Sequence, residues 1–190
     1  MEKLETRITK CTICNCGDVV EKRKSTMLIY GRNGPRLVEQ VESRCNSRHK
    51  SFSCGAGYYH GYCTYDGKKY INGDALKEKV LVVTDQTDFD IDYLVEVVGR
   101  VHISSTTFEG ATKEYNWFHS CTLPQDVLDY RSELHMDRLS EAYYLFTFLE
   151  FCQRYGIKDY NIIETTLGEK ILQCKNVMLN KFRERWTVNH

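Results

Sequence analysis

Cysteine is the residue in this chain with the most chemistry to offer, and its placement is uneven. Six of the nine cysteines (Cys11, Cys14, Cys16, Cys45, Cys54 and Cys63) lie before residue 64. Cys121, Cys152 and Cys174 stand singly in apolar surroundings and read as small buried hydrophobes. An odd number of irregularly spaced cysteines does not suit a disulfide framework, and metal binding accounts for the pattern better. Zinc takes four soft or borderline ligands in a tetrahedron, and two short-spaced knuckles at the ends of β hairpins supply that geometry with little chain. Cys11-x2-Cys14 is the first knuckle, with Cys16 as an alternate for Cys14. The second starts at Cys45 and is completed by Cys54 or by the closer His49. Four protein ligands leave a bound Zn2+ no open position for water, so the ion would be structural. A redox CxxC needs a strand before it and a helix after it, a context that Glu5 to Glu21 does not offer.

Two other groups could do chemistry. Asp85, Asp88, Asp90 and Asp92 follow an apolar run, where a metal-dependent nuclease would place carboxylates for two cations. The simpler reading is that these acids charge-complement the start of a helix, since no third, spatially fixed carboxylate can be named. His119, Cys121 and His135 have no spacing that makes a nucleophile and base. Tyr58, Tyr59, His60, Tyr62, Tyr65 and Tyr70 are interleaved with Arg44, Arg48, Lys50, Lys68 and Lys69. Rings among cations can stack on bases while the cations neutralise phosphates. Tyrosine is also a favoured strand residue, and alternation would turn half of the rings inward. No recognition helix follows the knuckles, so readout of a defined duplex sequence is not expected.

The elements that must hold these residues are largely β at first and helical later. Ser25–Tyr30 and Arg36–Glu42 flank Asn33-Gly34, a hairpin signal. Tyr58–Tyr65, Asp66-Gly67 and Lys68–Ile71 write a second hairpin. Lys79–Thr84 reads as a buried strand and Asp88–Arg100 as a helix with acids in its first turn. Beyond Pro124 the pattern is helical: Asp126–Leu139, Ser140–Tyr155, and Ile162–Trp186 with a break near Gly168. The expected fold is α+β. A zinc-ribbon-like antiparallel β module spans residues 1–75, a small mixed α/β segment 76–120, and a helical region 121–190.

With 190 residues, 42% of them apolar, the chain can bury one core plus a metal-held appendage. No run approaches the roughly 18 apolar residues a membrane helix needs, and Met1–Glu5 has no apolar segment of a secretory signal. An intracellular protein without a membrane partner is expected. The net charge is zero, but residues 1–75 hold thirteen Lys and Arg against eight Asp and Glu. The cysteine-rich part is thus the basic part, which suits contact with phosphates and equally an ordinary solvated face.

A family likeness runs through most of these motifs. Cys11-x2-Cys14, then Cys45, Cys54-x3-Tyr58, Gly61-Tyr62 and Gly67-Lys68-Lys69-Tyr70 come first. Thr84-Asp85-Gln86-Thr87-Asp88-Phe89 and Ala111-x3-Tyr115-Asn116 follow. This order resembles the cysteine-cluster domains associated with KDZ-type transposases. Arg138-Leu139, the aromatic stretch through Tyr143 and Tyr144, and Phe182-x3-Trp186-x3-His190 extend it toward the C-terminus. The resemblance implies an N-terminal piece of a transposon-derived, nuclear protein, with any catalytic part beyond the Trp-x3-His element. It also implies Cys54 rather than His49 as fourth ligand, although the eight residues between Cys45 and Cys54 exceed the family's spacing.

The expectation is therefore a non-enzymatic, zinc-stabilised module that binds nucleic acid, with DNA foremost. Cys11, Cys14, Cys45 and Cys54 would hold the hairpins, and Arg44, Arg48, Lys50, Tyr58, Tyr59, Lys68 and Lys69 would touch the ligand. The rival is a protein-interaction or chromatin-reader module whose Tyr-rich surface receives a cationic peptide through ring faces. A nuclease using Asp85 and Asp88 ranks third.

Overall fold

The computed structural model describes residues 2–15, 17–49, 52–71, 75–84, 87–120, 133–157, 161–163 and 167–188. Its strands are β1 (Glu2–Leu4), β2 (Val19–Gly31), β3 (Gly34–Cys45), β4 (Arg48–His49), β5 (Phe52–Ser53), β6 (Gly57–Tyr59), β7 (Tyr62–Tyr65), β8 (Lys68–Ile71), β9 (Val80–Val82), β10 (Thr87–Asp90) and β11 (Asn161–Ile163). The helices are α1 (Ile91–Ile103), α2 (Phe108–His119), α3 (Met136–Tyr155) and α4 (Leu167–Val188).

The long β2–β3 hairpin is the backbone of the fold. Its register runs from Val19↔Cys45 to Gly31↔Gly34, with one irregularity between Glu21 and Arg23. The expected turn is there, but it is made by Arg32 and Asn33, while Gly34 closes the ladder at φ 100°. The second hairpin is more folded than its sequence suggests. Tyr58–Tyr65 is not one strand: it reverses at His60-Gly61, where Gly61 has φ 76°, to make β6 and β7. Asp66 and Gly67 then turn β7 into β8 with φ 52° and 69°, the two positive values that match the twist of a tight hairpin.

These strands join one nine-stranded mixed sheet ordered β11-β8-β7-β6-β3-β2-β10-β9, with β1 alongside β3. Among the described strands only β1–β3 and β2–β10 pair in parallel. The molecule is mixed α/β, and the sheet crosses the three segments drawn from the sequence: β10 comes from the second, β11 from the third. Strands of residues 1–75 therefore share their sheet with strands of the later chain.

Period-2 alternation along β2 explains how both faces are covered. Met27 and Ile29 pack with Leu4, Val38 and Val80, whereas Leu28 and Tyr30 face the main core under the helices. That core takes Phe89 from β10, Leu94 and Val97 from α1, Ala111 and Tyr115 from α2, and Leu139, Ala142, Phe146 and Leu149 from α3. The helix expected at Asp88–Arg100 begins later, at Ile91, because Asp88 and Phe89 are drawn into β10 beside β2. Asp90 occupies the N-cap position but makes no side-chain cap; its carboxylate accepts a two-pronged bond from Arg36 at 2.6 and 2.8 Å. The helix α2 has no counterpart in the elements read from the sequence. Thr107 caps it by accepting from the N–H of Gly110, and Tyr115 donates to the carbonyl of Gly31, 3.0 Å away. The expected break near Gly168 is instead the short strand β11 followed by α4. Of the expected helix Asp126–Leu139, residues 126–132 lie outside the described residues, and the rest opens α3 at Met136. No described helix is long and apolar enough to cross a membrane.

Candidate metal centre

Cys11, Cys14, Cys45 and Cys54 come together at the end of the β2–β3 hairpin remote from its turn, their sulfurs all within 4.8 Å of one another. Each is delivered by a backbone device that its neighbours make possible. The first knuckle folds back on itself: the N–H of Asn15 donates to the carbonyl of Cys11 at 3.0 Å and that of Cys11 to the carbonyl of Gly17 at 2.9 Å. Asn15 sits at φ 56°, a left-handed conformation that asparagine tolerates better than most side chains. Gly17 is required by space, because a Cβ there would lie 2.5 Å from the Cys45 Sγ and from the Ser47 Cβ. Cys45 ends β3, and its N–H donates to the carbonyl of Ala56 at 3.0 Å. Cys54 is followed by Gly55 at φ 68°, which turns the chain into β6.

The donor set fits a tetrahedral thiophilic ion. Four thiolates about 2.3 Å from a common centre stand about 3.8 Å apart. The Cys11–Cys54 and Cys14–Cys45 sulfur pairs are both 3.6 Å apart. Cys11, Cys45 and Cys54 are buried and Cys14 half-buried, so the cluster is largely withdrawn from solvent. Burial opposes ionisation of Cys11, yet hydrogen bonds from the Tyr58 hydroxyl and from the N–H groups of Cys14 and Ile13 outweigh it and hold this thiol below its usual range. Burial pushes the Cys45 and Cys54 thiols up.

A Tyr and an Asn support the centre from outside. The Tyr58 hydroxyl donates to Cys11 Sγ at 3.1 Å and accepts from the Thr12 N–H at 2.8 Å. Asn46 Oδ1 accepts from the N–H of Asp18 at 2.9 Å, tying the strand ends behind the knuckle. Neither role is readable from spacing. The signal that marks Tyr58 is only its place four residues after Cys54, with the turn at Gly55 between them.

The expected nucleic-acid residues separate. Tyr58 is fully buried, so it cannot stack on a base. Lys69, 4% exposed, is turned inward rather than toward a ligand: its ammonium donates to the carbonyl of Val83 and lies 4.1 Å from the centroid of the Tyr62 ring. The alternation of β8 turns it inward, where a carbonyl and a ring face replace water. Tyr59 is half-buried and stacked on Tyr62 with centroids 4.6 Å apart. Lys68 is half-buried and Arg44 exposed, the latter ion-paired with Glu42. Lys50 and Cys16 lie outside the described residues, as do the side chains of Arg48 and His49. Two cations that sequence reasoning passed over, Lys22 and Arg23, are exposed where β2 approaches the cysteine cluster.

The remaining candidates take structural places. Asp88 is fully buried and accepts from the N–H of Val83 at 3.2 Å, fastening the turn between β9 and β10; Asp85 lies outside the described residues. His119 packs on Gly34 and on the Tyr115 ring, and His135 sits at the N-cap position of α3. Asn116 clamps the backbone of Leu134 with both ends of its amide, at 2.8 and 3.0 Å. No protein-family model matches the chain, and neither a curated protein nor a solved structure does.

Proposed function

We propose that the protein is a non-enzymatic binding module in which a structural Zn2+ on Cys11, Cys14, Cys45 and Cys54 fixes the open end of the β2–β3 hairpin for contact with nucleic acid. The observation that carries this reading is the closed four-sulfur cluster. Four thiolates favour zinc among the available divalent ions, and with every position taken by protein the ion supplies no nucleophile. Its work is to hold backbone. The basic character of residues 1–75 then has a rigid carrier, with Lys22, Arg23 and Arg44 exposed on the ribbon that ends at Cys45. Cations on a rigid β ribbon suit phosphate contact, and a ribbon of this kind can enter a duplex groove. The likeness to cysteine-cluster domains of KDZ-type transposases supports a transposon-derived origin and a nuclear setting. The alternative of a peptide-binding surface loses Tyr58 and most of Tyr62 to the interior.

Elemental analysis of the purified chain should find one zinc per molecule. Titration with short duplex and single-stranded oligonucleotides should give affinity that falls steeply with salt, the logarithmic slope shrinking by about one for each phosphate contact removed in Lys22→Ala or Arg23→Ala. Lack of binding at low salt by the metal-loaded chain sinks the nucleic-acid reading.

A further inference from the structure

One sulfur of the cluster, that of Cys11, receives a side-chain hydrogen bond from a rigid, fully buried donor, the Tyr58 hydroxyl. We infer that Tyr58 is a positioning residue of the metal centre, its phenol holding the Cys11 thiolate in place and damping its charge so that the ion is retained. This rests on the reading of the cluster as a metal site and adds to it a residue that controls metal release.

The hydrogen bonding is directional. The Thr12 N–H can only donate, so the Tyr58 oxygen accepts from it at 2.8 Å. The single hydroxyl proton then has two acceptors in reach, Cys11 Sγ at 3.1 Å and Thr12 Oγ1 at 3.2 Å. A metal-bound thiolate carries no proton and is the more negative of the two, so it takes the bond. The hydroxyl thereby ties the first knuckle together at two adjacent residues, one through its backbone and one through its ligand atom.

Rigidity makes the contact a constraint rather than an accident of packing. Tyr58 lies in β6, paired with Ser43 of β3 on one side and Cys63 of β7 on the other, and its side chain has no exposed surface. The same short segment thus supplies the ligand Cys54 and, four residues later, the donor to Cys11, joining the two knuckles through a path independent of the ion. A thiolate that accepts hydrogen bonds is a weaker base and a poorer target for protons and oxidants, so its bond to the metal opens less often. Loss of such outer partners costs about 10–100-fold in metal affinity in characterised sites.

The test uses the full chain loaded with Co2+, whose sulfur-to-metal charge-transfer band reports the electron density on the thiolates, and with Zn2+ challenged by a chromogenic chelator. Tyr58→Phe keeps the ring and removes the hydroxyl. The expected result is one metal per chain, a charge-transfer band moved to lower energy, and zinc transferred about ten-fold faster or more. Because Tyr58→Phe also deprives the Thr12 N–H and could misfold, 3-fluorotyrosine placed at position 58 provides the opposite perturbation. It retains the hydroxyl as a stronger donor, and the band should move to higher energy with slower transfer. A band and a transfer rate that neither substitution moves overturn the inference while leaving the metal centre standing. A wild-type chain that takes up neither Co2+ nor Zn2+ overturns both.

Discussion

The two ends of the β2–β3 hairpin sit in one sheet but are held by different means. Near its turn, Met27 to Tyr30 are all buried, one face against Leu4, Val38 and Val80 and the other against the helices. Toward its open end, Glu21 to Lys24 are exposed, and the last buried group is the small set Cys11, Cys45, Cys54, Ala56 and Tyr58. Apolar burial contributes about 25 cal/mol per Å2, whereas ordering the backbone costs roughly 1–2 kcal/mol per residue. Tyr58 with four small buried residues, and Ile8, Ile13, Val19 and Tyr65 half-buried against them, is a thin core for knuckles that include Asn15 and Gly55 in left-handed conformations. Where the sheet outruns its helical cover, four thiols stand in place of a core.

Removing the ion should separate the ends most sharply. Cys45→Ser, or chelation of the wild type, should erase amide-exchange protection around Thr9–Cys14 and Cys54–Ala56 while α1 to α3 keep theirs. Structural zinc contributes about 10–16 kcal/mol in small zinc-finger peptides, more than any single packing group. Loss of protection throughout the chain would show that the two ends fold as one unit. Phe89→Ala is the converse experiment. Phe89 is fully buried, 5.4 Å from Tyr30 centroid to centroid, and its truncation should cost about 3–5 kcal/mol by denaturant melting, with metal content unchanged. A parallel fall in metal content would join the two ends. The smallest effect belongs to His119, whose burial lowers its pKa. A base with a depressed folded-state pKa stabilises the fold above its unfolded value, about 6.5, and loses that contribution as pH falls below it. Melting temperature should drop slightly between pH 7 and pH 5, and less in His119→Gln; equal drops would remove the histidine from the helix-covered end's acid sensitivity.

The local signals were legible because they act over a few residues. Asp66-Gly67 demands two positive φ values and obtains them, and Asn33-Gly34 marks the first hairpin to within one residue. The strand–helix boundary at Asp88 to Ile91 was not legible: acids before an apolar run read as a helix start, yet parallel pairing with Leu28–Tyr30 claims them for β10. Lys69 and Tyr58 misled for the same reason. A cation and a ring in a polar hairpin read as surface, and only their hydrogen-bond partners, the Val83 carbonyl and the Cys11 sulfur, explain why they are inside.

By itself the sequence determined that cysteines cluster early, that hairpins flank them and that the basic residues share their segment. Spacing within a few residues limits which ligands can converge, so Cys11 with Cys14 or Cys16 is marked as a knuckle by sequence alone. The meeting of Cys45 and Cys54 with that knuckle, and the choice of Tyr58 as its hydrogen-bond donor, were decided by tertiary structure. They depend on strand register between residues more than 30 apart, and register follows from which faces the whole sheet must bury.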